Sequence, residues 1–295
     1  MQNEQLNLLQ TTVKIGLDAP VRFLHVTDSH ISLADEYDSE RLKWLAAARR
    51  ANCFETGRQD GVTVRLYEQA LDYARKNELF VVCTGDLIDF MSHANFEYLD
   101  HAFDGVDYVY ALGNHDICAY VGGDNEDESY KWNNMKLTAP HIRSNLYFDS
   151  KLYGGVNFVT LDNSYYLISE GQIKMLRAEA AKGYPIVLCM HTPIYTPAFA
   201  EDRMTAEKDC TYLMAPPEEL LARYSPSRRE QQKPDAATLE AVQYILHEPM
   251  IKAVFAGHMH YDFEEPLANG VMQKLFAALE MRFDFSLTDE SEEAK

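Results

Sequence analysis

Residues 79–89 read Leu79-Phe80-Val81-Val82-Cys83-Thr84-Gly85-Asp86-Leu87-Ile88-Asp89. Five apolar residues in a row, two of them Val, predict a strand covered on both faces. Gly85 has no Cβ to clash, so the backbone turns sharply there. Asp86 is left at the carboxyl end of the strand, where open α/β sheets place their ligands. Four other stretches repeat this design, a hydrophobic strand ending in Asp, His or Asn. They are Phe23 to His30, Tyr108 to Asp116, Ile186 to His191 and Ala253 to His260. The expectation is that all five strand ends meet at one site.

The rest of the chain fits such a sheet. Strands are expected at Thr12–Ile15 (an edge), Val21–Thr27, Leu79–Cys83, Tyr108–Leu112, Leu146–Phe148, Val156–Leu161, Ile186–Met190 and Ile251–Ala256, with further strand-like segments at Tyr261–Phe263 and Val271–Phe276. Helical spacing marks Arg41–Arg50, Gly61–Asn77, Asn95–Ala102, Ser129–Leu137 and Glu170–Ala181. Asp235 is placed to cap a helix that presents Leu239, Val242 and Leu246. Alternating strands and helices predict a mostly parallel sheet with helices on its faces. Asn52–Arg58 reads as a looser stretch. Residues 117–143 read as a long excursion over the active face. Residues 193–233, rich in Pro and charge, read as an irregular loop or lid. No linker divides the chain, so a single domain over 1–288 is expected, followed by an acidic, disordered tail at 289–295.

Charge narrows the function. The chain has 27 Lys and Arg against 46 Asp and Glu, a formal net charge of −19. That argues against nucleic-acid binding, which needs a basic footprint. It also means an anionic substrate is repelled unless cations sit in the site. The five cysteines are odd in number and include no C-x-x-C pair. Cys83 and Cys189 fall in predicted buried strands, which points to free thiols in a reducing compartment. The first 18 residues lack the layout of a signal peptide, and no apolar run is long enough to span a bilayer. A cytoplasmic protein is expected.

Of ten histidines, five (His30, His115, His191, His258 and His260) sit at the strand ends, beside Asp28, Asp86 and Asn114. One such histidine would be unremarkable as a hydrogen-bonded structural group. Five at equivalent topological positions call for another explanation. Asp28-Ser29-His30 and His258-Met259-His260 each space two donors at i and i+2, which share a face in extended backbone. Oxygen and nitrogen donors without thiolate suit Mn, Fe, Zn, Ni or Co. A carboxylate such as Asp86 can bridge two ions. Two ions about 3.5–4 Å apart can clamp a phosphoryl group and ionise a bridging water.

The ordered set D-x-H, G-D-x-x-D, G-N-H-D, a strand-end His and G-H-x-H resembles the calcineurin-like metallophosphoesterase superfamily, from about residue 21 to 262. The resemblance implies a two-sheet β-sandwich flanked by helices, an α/β/β/α fold. It implies two divalent or mixed-valence transition metal ions. Asp28, His30 and His260 would hold one, Asn114, His191 and His258 the other, and Asp86 both. His115 corresponds to the family's catalytic histidine, and Asp89 to the second Asp of G-D-x-x-D, which supports a neighbouring histidine. Asp116 stands where many members have Glu.

The implied function is hydrolysis of a small phosphate ester: a phosphomonoester, a cyclic nucleotide or another phosphodiester. The alternatives are a phosphoprotein phosphatase, or a non-catalytic metal-binding protein that keeps the fold. Tyr120, Trp132, Arg143, Tyr195, Phe199, Arg203 and Tyr212 lie in the two excursions. They are available either to shape substrate choice or simply to pack these segments. The sequence is silent on oligomeric state.

Overall fold

The computed structural model describes residues 8–122, 127–206, 209–267, 270–275 and 284–288. Two sheets lie face to face. The first has the order β1 (Gln10–Lys14), β11 (Asp284–Thr288), β2 (Val21–Val26), β3 (Phe80–Cys83), β4 (Tyr108–Tyr110). The second has the order β5 (Phe148–Tyr153), β6 (Val156–Leu161), β7 (Ile186–Cys189), β8 (Ile251–Ala256), β10 (Met272–Leu275), β9 (Phe263–Pro266). The run β2–β3–β4 is parallel, as is β6–β7–β8–β10. Parallel strands put several chain turns at the same edge, and that gathers the site.

The layer between the sheets is aromatic. Phe23 packs edge-on against Phe158 at 5.1 Å and Phe255 at 5.4 Å, all three fully buried. Edge-to-face pairs of this kind contribute about 0.5–1.5 kcal/mol beyond the area they bury. Outside the first sheet, Leu66, Ala70 and Leu71 of α2 (Val62–Lys76) join Leu99 of α3 (His93–Ala102) over Leu24, Val81 and Tyr110. Outside the second, Ile173 and Leu176 of α5 (Glu170–Ala180) meet Ala241 and Ile245 of α9 (Ala236–His247) over Val159, Leu188 and Val254. The layering is α/β/β/α.

Several expectations need correction. The strand placed at Leu146–Phe148 is β5, Phe148–Tyr153, directly before the Gly154-Gly155 turn. It is an edge strand with polar Asp149, Ser150 and Lys151, so it lacks the apolar run that marks the central strands. The helix after Asp235 is capped as expected, but it buries Thr238, Ala241, Val242 and Ile245 and leaves Leu239 exposed. Residues 52–58 are not simply loose: α1 (Glu40–Arg49) continues into a π-helical turn, Arg50–Phe54.

The segment 193–233 is not an irregular loop. It carries α6 (Pro197–Ala206), α7 (Glu218–Leu221) and α8 (Pro226–Gln232) around a small core of Phe199, Leu213, Leu220, Leu221 and Tyr224. Its prolines start helices, with Pro197 first in α6 and Pro226 first in α8. Proline fits there because the first helical N–H has no partner in any case. The 117–143 excursion carries α4 (Glu128–Thr138). It leaves the active edge at Ile117 and ends at the opposite end of β4, where the Arg143 N–H donates to Tyr108 at 2.8 Å. The edge strand near the start begins two residues earlier than expected, at Gln10. Strand β11 had no sequence signal, and the acidic tail 289–295 lies outside the described residues.

Candidate metal centre

The turns after β2, β3, β4, β7 and β8 meet at one edge of the sandwich. They are tied to one another by main-chain bonds. Asp28 N–H donates to Gly85 O at 2.9 Å, His30 N–H to Asp86 O at 3.0 Å, and Gly257 N–H to His191 O at 3.0 Å. Gly113 and Gly257 are needed for this closeness. A Cβ at Gly113 would collide with the Asp86 backbone and carboxylate, and one at Gly257 with Thr27 and Asp28.

Asp28, His30, Asp86, His258 and His260 all have positive φ, between 45° and 71°. The i and i+2 pairs therefore do not converge through extended backbone, as the spacing had suggested. Each sits in a left-handed turn, which aims the side chains inward at a cost of about 1–2 kcal/mol per residue. Strain of this kind persists only where the surroundings enforce it.

Two donor groups result. Asp28, His30 and His260 form one, and Asp86, His191 and His258 the other. In the first, His30 Nε2 faces His260 Nε2 at 2.8 Å and lies 3.6 Å from Asp86 Oδ2. In the second, His191 Nε2 lies 3.2 Å from Asp86 Oδ2, 3.2 Å from Asn114 Oδ1 and 3.1 Å from His258 Nδ1. Asp86 therefore stands between the two groups.

These residues fit metal ions on chemical grounds. A carbonyl accepts, so at 2.7 Å from Thr84 O the Nδ1 of His191 must carry its proton. His30 Nδ1 likewise faces Asp89 Oδ1 at 2.9 Å. That turns the Nε2 of each ring toward the centre. Two ring nitrogens 2.8 Å apart, with carboxylates alongside, need a proton or a cation between their lone pairs. Titration agrees. Burial opposes charge on His191, but Asp86 and Asp28 hold it up at about 9. Burial pushes His30 down to about 4 and His258 to about 3. Burial opposes the charge on Asp28, yet His260 and His191 hold it down at about 2; Asp86 is depressed further by His191 and His115. The pocket calls for positive charge between its carboxylates.

His115 lies beside the first group, its ring 4.5 Å from that of His30. Its backbone N–H donates to Asp86 Oδ1 at 2.7 Å, and its Nδ1 donates to the Asp89 main-chain O at 2.8 Å and lies 3.0 Å from Asp89 Oδ1. Burial opposes its charge, but Asp86 and Asp89 hold it up at about 10. Asp89 is fully buried and supports both His30 and His115. Asp116 accepts from the N–H groups of Gly113 at 2.8 Å and Asp86 at 3.0 Å, stitching two site turns together despite its shorter side chain. Burial, then the Asp86 charge, raises it to about 7.

Among the excursion residues, Tyr212 comes nearest, its ring 6.2 Å from that of His258. Tyr120 lies under Arg41, Phe199 stacks on Phe263, and Arg203 lies over Tyr261. Tyr195 packs at the edge of the same cluster as Phe199. Trp132 lies by Tyr147, and Arg143 donates to the Phe103 main-chain O at 3.1 Å with its guanidinium over Tyr108.

Three site residues escaped the sequence reading. Arg49 binds Asp89. Tyr166 places its hydroxyl 3.0 Å from His258 Nε2. Asn163 accepts from the N–H groups of His191 and Thr192, each at 3.0 Å. Asn163 follows strand β6, so the strand-end rule, applied once more, would have found it. Arg49 and Tyr166 carry no such signal.

The model of the calcineurin-like phosphoesterase family matches residues 21–262. No curated protein matches. Among solved structures, a dimetal phosphatase from Danio rerio superposes with a TM-score of 0.49 at 16% identity, covering 90% of this chain and 89% of that one. The phosphopantetheinyl hydrolase of Mycobacterium tuberculosis gives 0.43 at 10% identity, covering 90% and 92%. A putative 5′-nucleotidase from Staphylococcus aureus gives 0.44 at 14%, covering 88% and 49%. With the family model covering most of the chain and every strand-end turn of the site, the chain belongs to the calcineurin-like phosphoesterases and is a metal-dependent hydrolase of phosphoester bonds.

Proposed function

We propose that the chain hydrolyses a small phosphate ester (a monoester, a cyclic nucleotide or another phosphodiester) at a centre that takes two divalent transition-metal ions. The observation that carries this reading is the pair of close imidazole contacts, His30 with His260 and His191 with His258, on either side of Asp86. Asp28, His30 and His260 would hold one ion, Asn114, His191 and His258 the other, and Asp86 would serve both. Mn, Fe, Zn, Ni and Co all suit this donor set. When bound, the ions polarise the phosphoryl group and acidify a water.

The chain's own residues do the rest. Asp86 and Asp89 favour the charged form of His115 in the metal-free chain, and its Nδ1 is committed to Asp89. That leaves Nε2 to donate to the departing oxygen, as general acids do. Asp89 keeps both imidazoles in one tautomer. The π-helical turn Arg50–Phe54 on one side and the 193–233 segment on the other frame the site, which favours a small substrate. Both sheets share the aromatic layer, which supports a single domain. No described helix is long and apolar enough to cross a membrane.

The test is metal analysis with an ester panel: p-nitrophenyl phosphate, bis-p-nitrophenyl phosphate, cyclic nucleotides and dinucleotide polyphosphates, each with Mn. The expected result is about two ions per chain and a clear preference within the panel. No transition metal after reconstitution, with no ester turned over, would sink the proposal and leave a non-catalytic protein.

A further inference from the structure

Arg49, the last residue of α1, reaches Asp89 with two donors. Nε donates to Oδ2 at 2.5 Å and Nη2 to Oδ1 at 2.8 Å. The same Oδ1 takes His30 Nδ1 at 2.9 Å and lies 3.0 Å from His115 Nδ1, which also donates to the Asp89 main-chain O at 2.8 Å. One oxygen thus serves an imidazole of the first donor group and the imidazole beside it. Ser32 adds a longer bond to Oδ2, 3.2 Å.

An aspartate's last torsion is broad and two-fold, so the residue does not fix its own carboxylate plane. A bidentate guanidinium does, because its fork matches the two oxygens. Lysine, a point charge on a flexible stem, does so less well. The guanidinium is itself held in place. It lies over the Phe54 ring at 4.9 Å, and Phe54 stacks on His30 at 4.5 Å with 11° between planes. The π-helical turn makes this geometry, since its wider winding, closed by Glu55 N–H to Arg50 O, brings Arg49 and Phe54 to one side.

We propose that Arg49 is a positioning residue of this site: it fixes the plane of Asp89, and through Asp89 the ring orientations of His30 and His115 together. The kinetic part of this inference rests on the role given to His115 above. The geometric part does not. An ångström of misplacement in such a site costs about 10²-fold in rate.

Arg49→Met keeps the aliphatic stem over Phe54 and removes both donors. Arg49→Lys keeps the charge with one contact, and carries the comparison if the Met variant does not fold. Each is assayed as the Mn-loaded full chain on phenyl and p-nitrophenyl phosphates. For Arg49→Met we expect kcat to fall about 10²-fold on the phenyl ester, less on the better leaving group, with KM within about twofold. Arg49→Lys falls between. In a His115→Ala background, Arg49→Met costs less than about threefold more, because the two act as a unit.

A second readout needs no metal and no turnover. In metal-free protein labelled with 15N-histidine, the Nδ1 resonances of His30 and His115 move together in Arg49→Met, while that of His191 stays put. Full additivity with His115→Ala, or a raised KM with kcat intact, overturns the inference and places Arg49 on the substrate. Unmoved His30 and His115 resonances in a folded variant overturn it as well. A wild-type chain inactive on every ester overturns the role of His115 instead, and the resonances then decide the clamp alone.

Discussion

His30 and His191 are the inner imidazoles of the two donor groups, and they are held from behind by different kinds of partner. His30 leans on the Asp89 carboxylate, which is pinned in turn by Arg49. His191 leans on a main-chain carbonyl, Thr84 O, at the end of β3, and its own backbone is fixed by Asn163. One side is set by charge and side chains. The other is set by the sheet itself. A substitution can loosen the first without touching the fold, whereas no side-chain change removes the carbonyl behind His191. The His30 side is therefore the adjustable half of the centre, and it is also the half that neighbours His115.

The largest effect erases the difference. Asp86 lies 3.6 Å from His30 and 3.2 Å from His191, so Asp86→Asn removes charge from both sides at once. We expect metal content to fall below about one ion per chain, a loss beyond the about 10–100-fold that an outer partner accounts for. Elemental analysis after gel filtration reads this directly. Two ions retained by Asp86→Asn would show that the groups do not share this carboxylate.

Next comes His115→Ala. It should keep both ions and lose about 10²–10⁴-fold in kcat on an ester with a poor leaving group, the usual worth of a general acid. A metal-replete variant with wild-type kcat on that ester would remove His115 from the mechanism.

Asp89→Asn separates the halves. Metal affinity should drop about 10–100-fold on the His30 side only, as for other outer carboxylates. At intermediate Mn the variant should hold one ion where the wild type holds two. Equal weakening of both sites would mean that the carboxylate and the carbonyl are interchangeable supports.

How much of this was legible beforehand follows from the same contrast. The five central strands are buried on both faces, so continuous apolar runs gave them away, and the polar residue closing each run marked the site. Asp89 was readable through its spacing from Asp86. Arg49 was not, because its place depends on a π-helical turn that no residue in Arg50-Ala51-Asn52-Cys53-Phe54 announces. The left-handed turns at Asp28, His30, His258 and His260 were missed because nothing in a D-x-H or H-x-H spacing departs from an extended strand. They are imposed by neighbouring turns, through bonds such as His30 N–H to Asp86 O. Helices in 193–233 were hidden for a further reason: α7 and α8 are too short to show a period, and their prolines read as breakers.

The smallest effect sharpens the comparison through pH. In the metal-free protein His191 is held up at about 9, so at neutral pH it carries a proton that an incoming ion must expel. Burial pushes His30 down to about 4, so that ring by itself favours the neutral form. Ligands bind metal in their deprotonated form, so a raised pKa weakens binding at every pH below it. The sign is therefore that affinity on the His191 side rises with pH between 6 and 8, by at most about tenfold per unit. Titration calorimetry with Mn in two buffers of different ionisation enthalpy counts the protons released at each step. We expect about one proton to leave when the His191 side fills. His191→Ala should abolish the release, and His30→Ala should preserve it. Release unchanged in His191→Ala would mean that the expelled proton sits elsewhere in the centre, and that the halves differ in their supports without His191 carrying the charge.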